Sequence, residues 1–256
     1  MRILVTNDDG VFTEGLWTLV NELRNISQVT VVAPDREQSA VGTAVTLWRP
    51  LRIREMKPIA PEVATYAVEC TPSDSVILAL GKLVKNRVDL VISGINQGLN
   101  LGDDVHISGT VGAALQGYLH GFPALAISTA RGNGLHLDTA AKLTARLVKK
   151  IASDSLPKDI FLNVNVPNRP LDEIGMVQVT RLARESHINT VEESENGKSR
   201  YYWLVRQQLS KTKDRKTDVW AIEQGNISIT PLSTELSSKS SSSGLGNLCP
   251  GLLQEL

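Results

Sequence analysis

The sequence predicts an α/β fold: a mostly parallel, doubly wound sheet with helices on both faces, followed by a smaller β-rich C-terminal appendage. Three observations carry this. Short apolar runs alternate with amphipathic stretches through the first two thirds of the chain, the pattern of strands joined by right-handed helical crossovers. Four apolar runs or their following loops end in polar clusters, as expected where loops converge at the carboxyl edge of an open sheet. From about Pro167 the texture changes to short strand-like runs separated by polar loops.

The elements follow in order. Ile3 to Thr6 is a buried strand, and Leu16, Leu19, Val20 and Leu23 recur at helical spacing within a helix from Leu16 to Ile26. Val29 to Ala33 is a second strand, stopped by Pro34-Asp35. Thr43 to Leu47, Leu51 to Arg54 and Thr65 to Glu69 read as hairpin strands. Ser73 to Val84 reads as a helix capped at Thr71, with Pro72 in its first turn. Val88 to Ser93, Ala124 to Ser128 and Ile160 to Val166 are further strands, interleaved with helices over Val111 to His120 and Leu137 to Ile151. Past the breaker cluster Pro167, Asn168 and Pro170, strands are expected at Met176 to Arg181, Tyr201 to Val205 and Ile227 to Thr230. These boundaries divide the chain into a main domain (1–167), an appendage (168–232) and a serine-rich tail (233–256) expected to be disordered.

Composition excludes several classes. A chain of 256 residues can bury a sizeable core in one large α/β domain. Acidic and basic residues balance at 27 each, so no global field draws in a nucleic acid polymer or a membrane surface. Cys70 and Cys249 have no spacing that suggests zinc or a disulfide framework. The opening apolar run is too short for a signal peptide, and no stretch reaches the roughly eighteen apolar residues of a membrane span. A soluble, cytoplasmic protein is expected.

The most informative motif is Thr6-Asn7-Asp8-Asp9-Gly10 at the end of the first strand. Neighbouring strand side chains point to opposite faces, so the two carboxylates converge only if the backbone turns, and Gly10 can turn. Converging carboxylates are costly unless one is protonated or a cation lies between them, and oxygen ligands suit Mg²⁺ or Mn²⁺. The alternative is a turn with both acids solvated. A second cluster runs from Ala33 through Asp35 to Ser39, and a third from Ser93 through Asn96 to Asn100. Taken alone, Ser39 is a loop hydroxyl and Asn96 a turn former. The fourth cluster places Ser108-Gly109-Thr110 where a loop becomes a helix, either an anion site built on free amides or an ordinary N-cap. There is no Walker-type loop, no Gly-x-Gly-x-x-Gly for a dinucleotide, and no metal-ligand spacing among His106, His120, His136 and His187.

Together these clusters resemble the SurE family of stationary-phase survival proteins, which act as metal-dependent nucleotidases. Leu162-Asn163-Val164-Asn165-Val166-Pro167, Thr217-Asp218 and Ser228-Ile229-Thr230-Pro231-Leu232 add to the likeness, which spans about residues 1 to 232. The resemblance implies a Rossmann-like, three-layer αβα domain, one divalent metal ion per subunit (Mg, Mn or Co), and hydrolysis of nucleoside 5′-monophosphates. Some family members also take 3′-nucleotides or short polyphosphate. By motif, the metal ligands fall on Asp8, Asp9, Ser39 and Asn96, and the phosphate-binding residues on Asn100, Ser108, Gly109 and Thr110. The appendage resembles the region that family members use to form homodimers and homotetramers by exchanging segments. Ile107, Gln116 and Trp220 depart from the family pattern, as does the serine-rich end. The implied chemistry is in-line attack by a metal-activated water oriented by Asp8. A covalent aspartyl-phosphate on Asp8 ranks second because the Asp-x-Asp spacing is missing. A non-catalytic nucleotide or metal sensor on the same fold needs the same ligands and is the competing class, and an NAD-type oxidoreductase is the weaker third.

Overall fold

Apolar runs that cannot remain in water become the central strands of a nine-stranded sheet, ordered β3-β4-β2-β1-β5-β6-β7-β11-β8. The computed structural model describes residues 1–84, 88–132, 134–184, 188–195, 200–206 and 214–237. Its middle is parallel: β1 (Arg2–Thr6) lies between β2 (Gln28–Pro34) and β5 (Leu90–Gln97), with Ile3 beside both Val29 and Leu90. Outward from there run β4 (Ala64–Val68) on one side, and β6 (Ala124–Thr129) and β7 (Phe161–Val166) on the other. β3 (Ile53–Glu55) closes one edge antiparallel to β4.

Four helices cover the sheet in two layers. α1 (Glu14–Leu23) and α4 (Leu137–Ala152) pack on one face, where Val5, Leu16, Leu19, Ile92, Ile127 and Val148 join the largest core cluster. α2 (Pro72–Leu78) and α3 (Gly109–Leu119) occupy the other, over Leu4, Val32 and Val91. Thr71 caps α2 as expected, in a capping box with Asp74. Its continuation to Leu83 is a single π turn over Ala79–Leu83 rather than more α-helix. This is the three-layer, doubly wound arrangement the alternation implied.

Two expectations need correction. No strand forms at Thr43 to Leu47; the segment is an irregular loop tied down by Asp74, which accepts from the Thr46 amide (2.9 Å) and hydroxyl (2.6 Å). Residues 168–232 also do not stand apart as one unit. β11 (Ile227–Pro231) pairs antiparallel with β7 and parallel with β8 (Val177–Val179), so both extend the main sheet. α5 (Asp218–Glu223) lies beside them. A second sheet consists of β9 (Ile188–Glu195), absent from the sequence reading, and β10 (Arg200–Arg206). The tail reading lies outside the described residues from 238 onward. No described helix is long and apolar enough to cross a membrane.

Candidate active site

The chain leaves β1 toward β2 on one side and later returns to β5 on the other. That reversal opens a crevice at the carboxyl ends of β1 and β5, the position where open α/β sheets take their ligands. Asp8 and Asp9 lie just past one strand end and Asn96 on the other.

The turn that presents the acids is built by Asn7. Its amide donates to the Gly10 carbonyl (2.9 Å) and to Thr13 Oγ1 (2.8 Å), while its Oδ1 accepts from the Gly10 amide at 3.2 Å. Gly10 adopts φ +105, which a side chain would resist. The Gln38 amide then grips the Asp8 carbonyl at 2.7 Å, fixing the loop after β2, and with it Ser39, beside the acids. A Cβ on Gly109 would lie 2.8 Å from the Asp8 Cβ and 3.1 Å from the Gln38 carbonyl, so three loop ends meet where only glycine fits.

Asp8 is buried, and its Oδ1 accepts from the Thr110 hydroxyl at 2.6 Å. Burial pushes its carboxyl up to about 6 against the pull of that hydroxyl, and the Asp9 charge adds to the rise. Asp9 is half-buried and accepts a long bond from the Gln97 amide (3.4 Å). Burial raises its pKa too; Glu37 adds to the rise and Arg131 opposes it. Asp9, Glu37, Gln97 and Arg131 line an open cleft of about 390 Å³ together with Thr13, Gly132 and Leu135.

Of the residues singled out in the sequence, Asp8, Gly109 and Thr110 are in direct contact. The start of α3 thus lies against Asp8, with the Thr110 hydroxyl bonded to it. Ser108 caps that helix, its Oγ accepting from the Val111 amide at 3.1 Å. Ser39 is exposed and donates to Glu37 at 2.7 Å, and the Asn96 amide donates to the Gly98 carbonyl at 2.6 Å. Asn100 is turned inward: it is buried, and its Nδ2 donates to Ser128 Oγ at 2.8 Å. Among the described residues no three His, Cys, Asp or Glu side chains are placed to hold a metal ion, so any cation here draws on neutral oxygens as well.

Sequence reasoning gave no role to the groups that brace this edge. Asn163 and Asn165 of β7 both donate to the Asn100 carbonyl (2.8 and 3.0 Å), and Asn165 Oδ1 accepts the Asn100 amide at 2.9 Å. Asp218, fully buried, accepts from the Gly102 amide at 2.8 Å and from those of Ala183 and Val219 at 2.9 Å each. Polar residues alternating inside an apolar strand, Asn163 and Asn165, were the available signal for the first brace. Glu37 lies within the polar cluster after the second strand, and Arg131 had no such signal.

Paired acids at the switch point of a mostly parallel sheet, set against a helix start, define a doubly wound α/β protein with a carboxyl-edge acidic site. The chain belongs to the SurE family: residues 3–189 match the family described as Survival protein SurE. It is 54% identical over 238 residues to the 5′-nucleotidase SurE of Dehalococcoides mccartyi (strain CBDB1), covering 92% of this chain and 90% of that one. The 5′-nucleotidase SurE of Geobacter metallireducens is 44% identical over 243 residues, 94% of each chain. The crystal structure of the SurE protein from Aquifex aeolicus superposes with a TM-score of 0.85 at 34% identity, covering 97% of this chain and 99% of that one.

Proposed function

We propose that this chain is a metal-dependent 5′-nucleotidase that hydrolyses nucleoside 5′-monophosphates to nucleoside and phosphate, with 3′-nucleotides and short polyphosphate as further substrates. Its relatives named 5′-nucleotidase SurE support the nucleotidase activity. The single observation that carries the metal is the adjacent pair Asp8 and Asp9, both raised by burial, with Glu37 adding negative charge nearby. Asp8, Asp9, Ser39 and Asn96 supply two charged and two neutral oxygen donors, a set suited to one hard divalent cation (Mg, Mn or Co). Bound there, such an ion would polarise the phosphoryl oxygen and acidify the attacking water.

The chain's own groups do the rest. Asp8 orients the water and takes its proton. The water oxygen attacks phosphorus in line and the ester bond breaks; the departing oxygen takes a proton from solvent water to leave as the nucleoside hydroxyl, and Asp8 returns its proton to solvent. Ser108 and the first amides of α3, at Gly109 and Thr110, offset charge on the equatorial oxygens. Asn100 holds the loop that approaches them.

Phosphate release from AMP with Mn²⁺, lost on adding EDTA, is the direct test. Asp8→Ala and Asp9→Ala should each abolish release and Mn²⁺ binding while the far-ultraviolet circular dichroism stays unchanged. Full turnover by Asp9→Ala with added Mn²⁺ would overturn the metal assignment. Assembly as a homodimer or homotetramer through residues 168–232 is part of the same reading, supported by the exposed Tyr202, Trp203 and Leu204 on β10.

A further inference from the structure

The cleft beside Asp9 holds a charged side chain that the hydrolytic chemistry does not use. Arg131, in the loop after β6, donates from Nε to the Gln97 carbonyl at 2.7 Å. Its guanidinium lies against Gly98, where a Cβ would meet Nε at 3.4 Å. One edge of the guanidinium is thereby held, and Arg131 borders the cleft with no ion pair to a carboxylate among the described residues. Glu37, also exposed, lines the same space, and Leu135 supplies an apolar wall. At about 390 Å³ the cleft falls within the usual range for small-molecule sites, roughly 300–1,000 Å³.

We propose that this cleft seats the nucleoside of the substrate, and that Arg131 and Glu37 select guanine. The inference rests on the nucleotidase reading and adds the base. The catalytic site proposed above opens onto this cleft at Asp9, so a phosphate held there lets the nucleoside extend along the cleft toward Arg131. An arginine fork pairs with two adjacent acceptors, which guanine offers at O6 and N7; adenine puts a donor in place of one of them. A carboxylate accepts from two adjacent donors, which guanine offers at N1 and its 2-amino group and adenine lacks. Guanine is the base that answers both groups at once, and Leu135 covers part of its face.

The test compares GMP with AMP as substrates, and guanosine with adenosine as ligands by calorimetry, for the full chain and for Arg131→Ala and Arg131→Lys. A bidentate pair of this kind discriminates by about five- to a hundredfold. The full chain should favour GMP over AMP in kcat/KM by that factor, chiefly through KM, and guanosine over adenosine in affinity. Both variants should bring the two ratios close to one, since lysine keeps the charge but loses the fork. Equal handling of GMP and AMP by the full chain, or a guanine preference that survives both substitutions, would overturn the assignment. If neither nucleotide is hydrolysed but guanosine still binds preferentially through Arg131, the nucleotidase reading fails and the guanine seat stands.

Discussion

Asp8 is pulled in two directions by its surroundings. Burial favours its neutral form, while the Thr110 hydroxyl favours the anion, and burial wins, leaving the carboxyl near 6 against an ordinary 3.8. The sign of the linkage follows. The folded state binds the Asp8 proton more tightly than the unfolded chain does. This group's contribution to stability is therefore fully present below about pH 4 and is lost as pH rises through about 6. The difference is worth on the order of 3 kcal/mol at most. In the metal-free chain Asp8→Asn should remove that dependence, so the wild-type melting temperature should fall relative to the variant between pH 4 and 7. Parallel melting curves across the range would contradict the assignment. The adjacency of Asp8 and Asp9 was legible because two acids and a glycine at a strand end have few arrangements. Their partners were less so: Thr110 lies 102 residues away, and nothing local announces that its hydroxyl meets Asp8 rather than a ligand.

Among elements, the central strands were readable because burial on both faces demands continuous apolar runs, as in Leu90–Ile92 and Ala124–Ile127. β9 was missed for the converse reason. Its Thr190-Val191-Glu192-Glu193-Ser194-Glu195 buries no side chain, so no periodicity marks it. The loop at Thr43 to Leu47 had strand-like composition, but its hydrogen bonds go to α2 rather than to a neighbouring strand. Pairing of β11 with β7 joins segments separated by a wide stretch of chain, and no local signal encodes it. The same holds for the brace from α5. Asp218 accepts three amides, and an asparagine would turn its NH₂ toward at least one of them. Asp218→Asn should cost about 2 kcal/mol or more in urea unfolding and raise KM for AMP more than it lowers kcat, because the Gly102 loop loses an anchor while Asp8 and Asp9 keep theirs. An unchanged KM would show that the loop holds its shape without α5.

At the scale of the whole molecule, one long sheet carries the site and a separate two-stranded hairpin carries exposed apolar surface. On the hairpin Val191, Tyr202, Trp203 and Leu204 are 60%, 60%, 62% and 77% exposed. A two-stranded sheet has little stability alone, and surface of this kind commonly marks an interaction site. If the hairpin mediates self-association, Trp203→Glu should shift the sedimentation coefficient to that of a monomer without altering the thermal unfolding of the main sheet. An unchanged coefficient would place the subunit contact elsewhere. The order of strands has its own consequence. Among the described residues β8 reaches the sheet only through β11, and the Gly102 loop is anchored by a carboxylate 116 residues further along. A chain emerging from the ribosome can lay down β1 to β7 early, yet the carboxylate that steadies the Gly102 loop is made only after all seven strands.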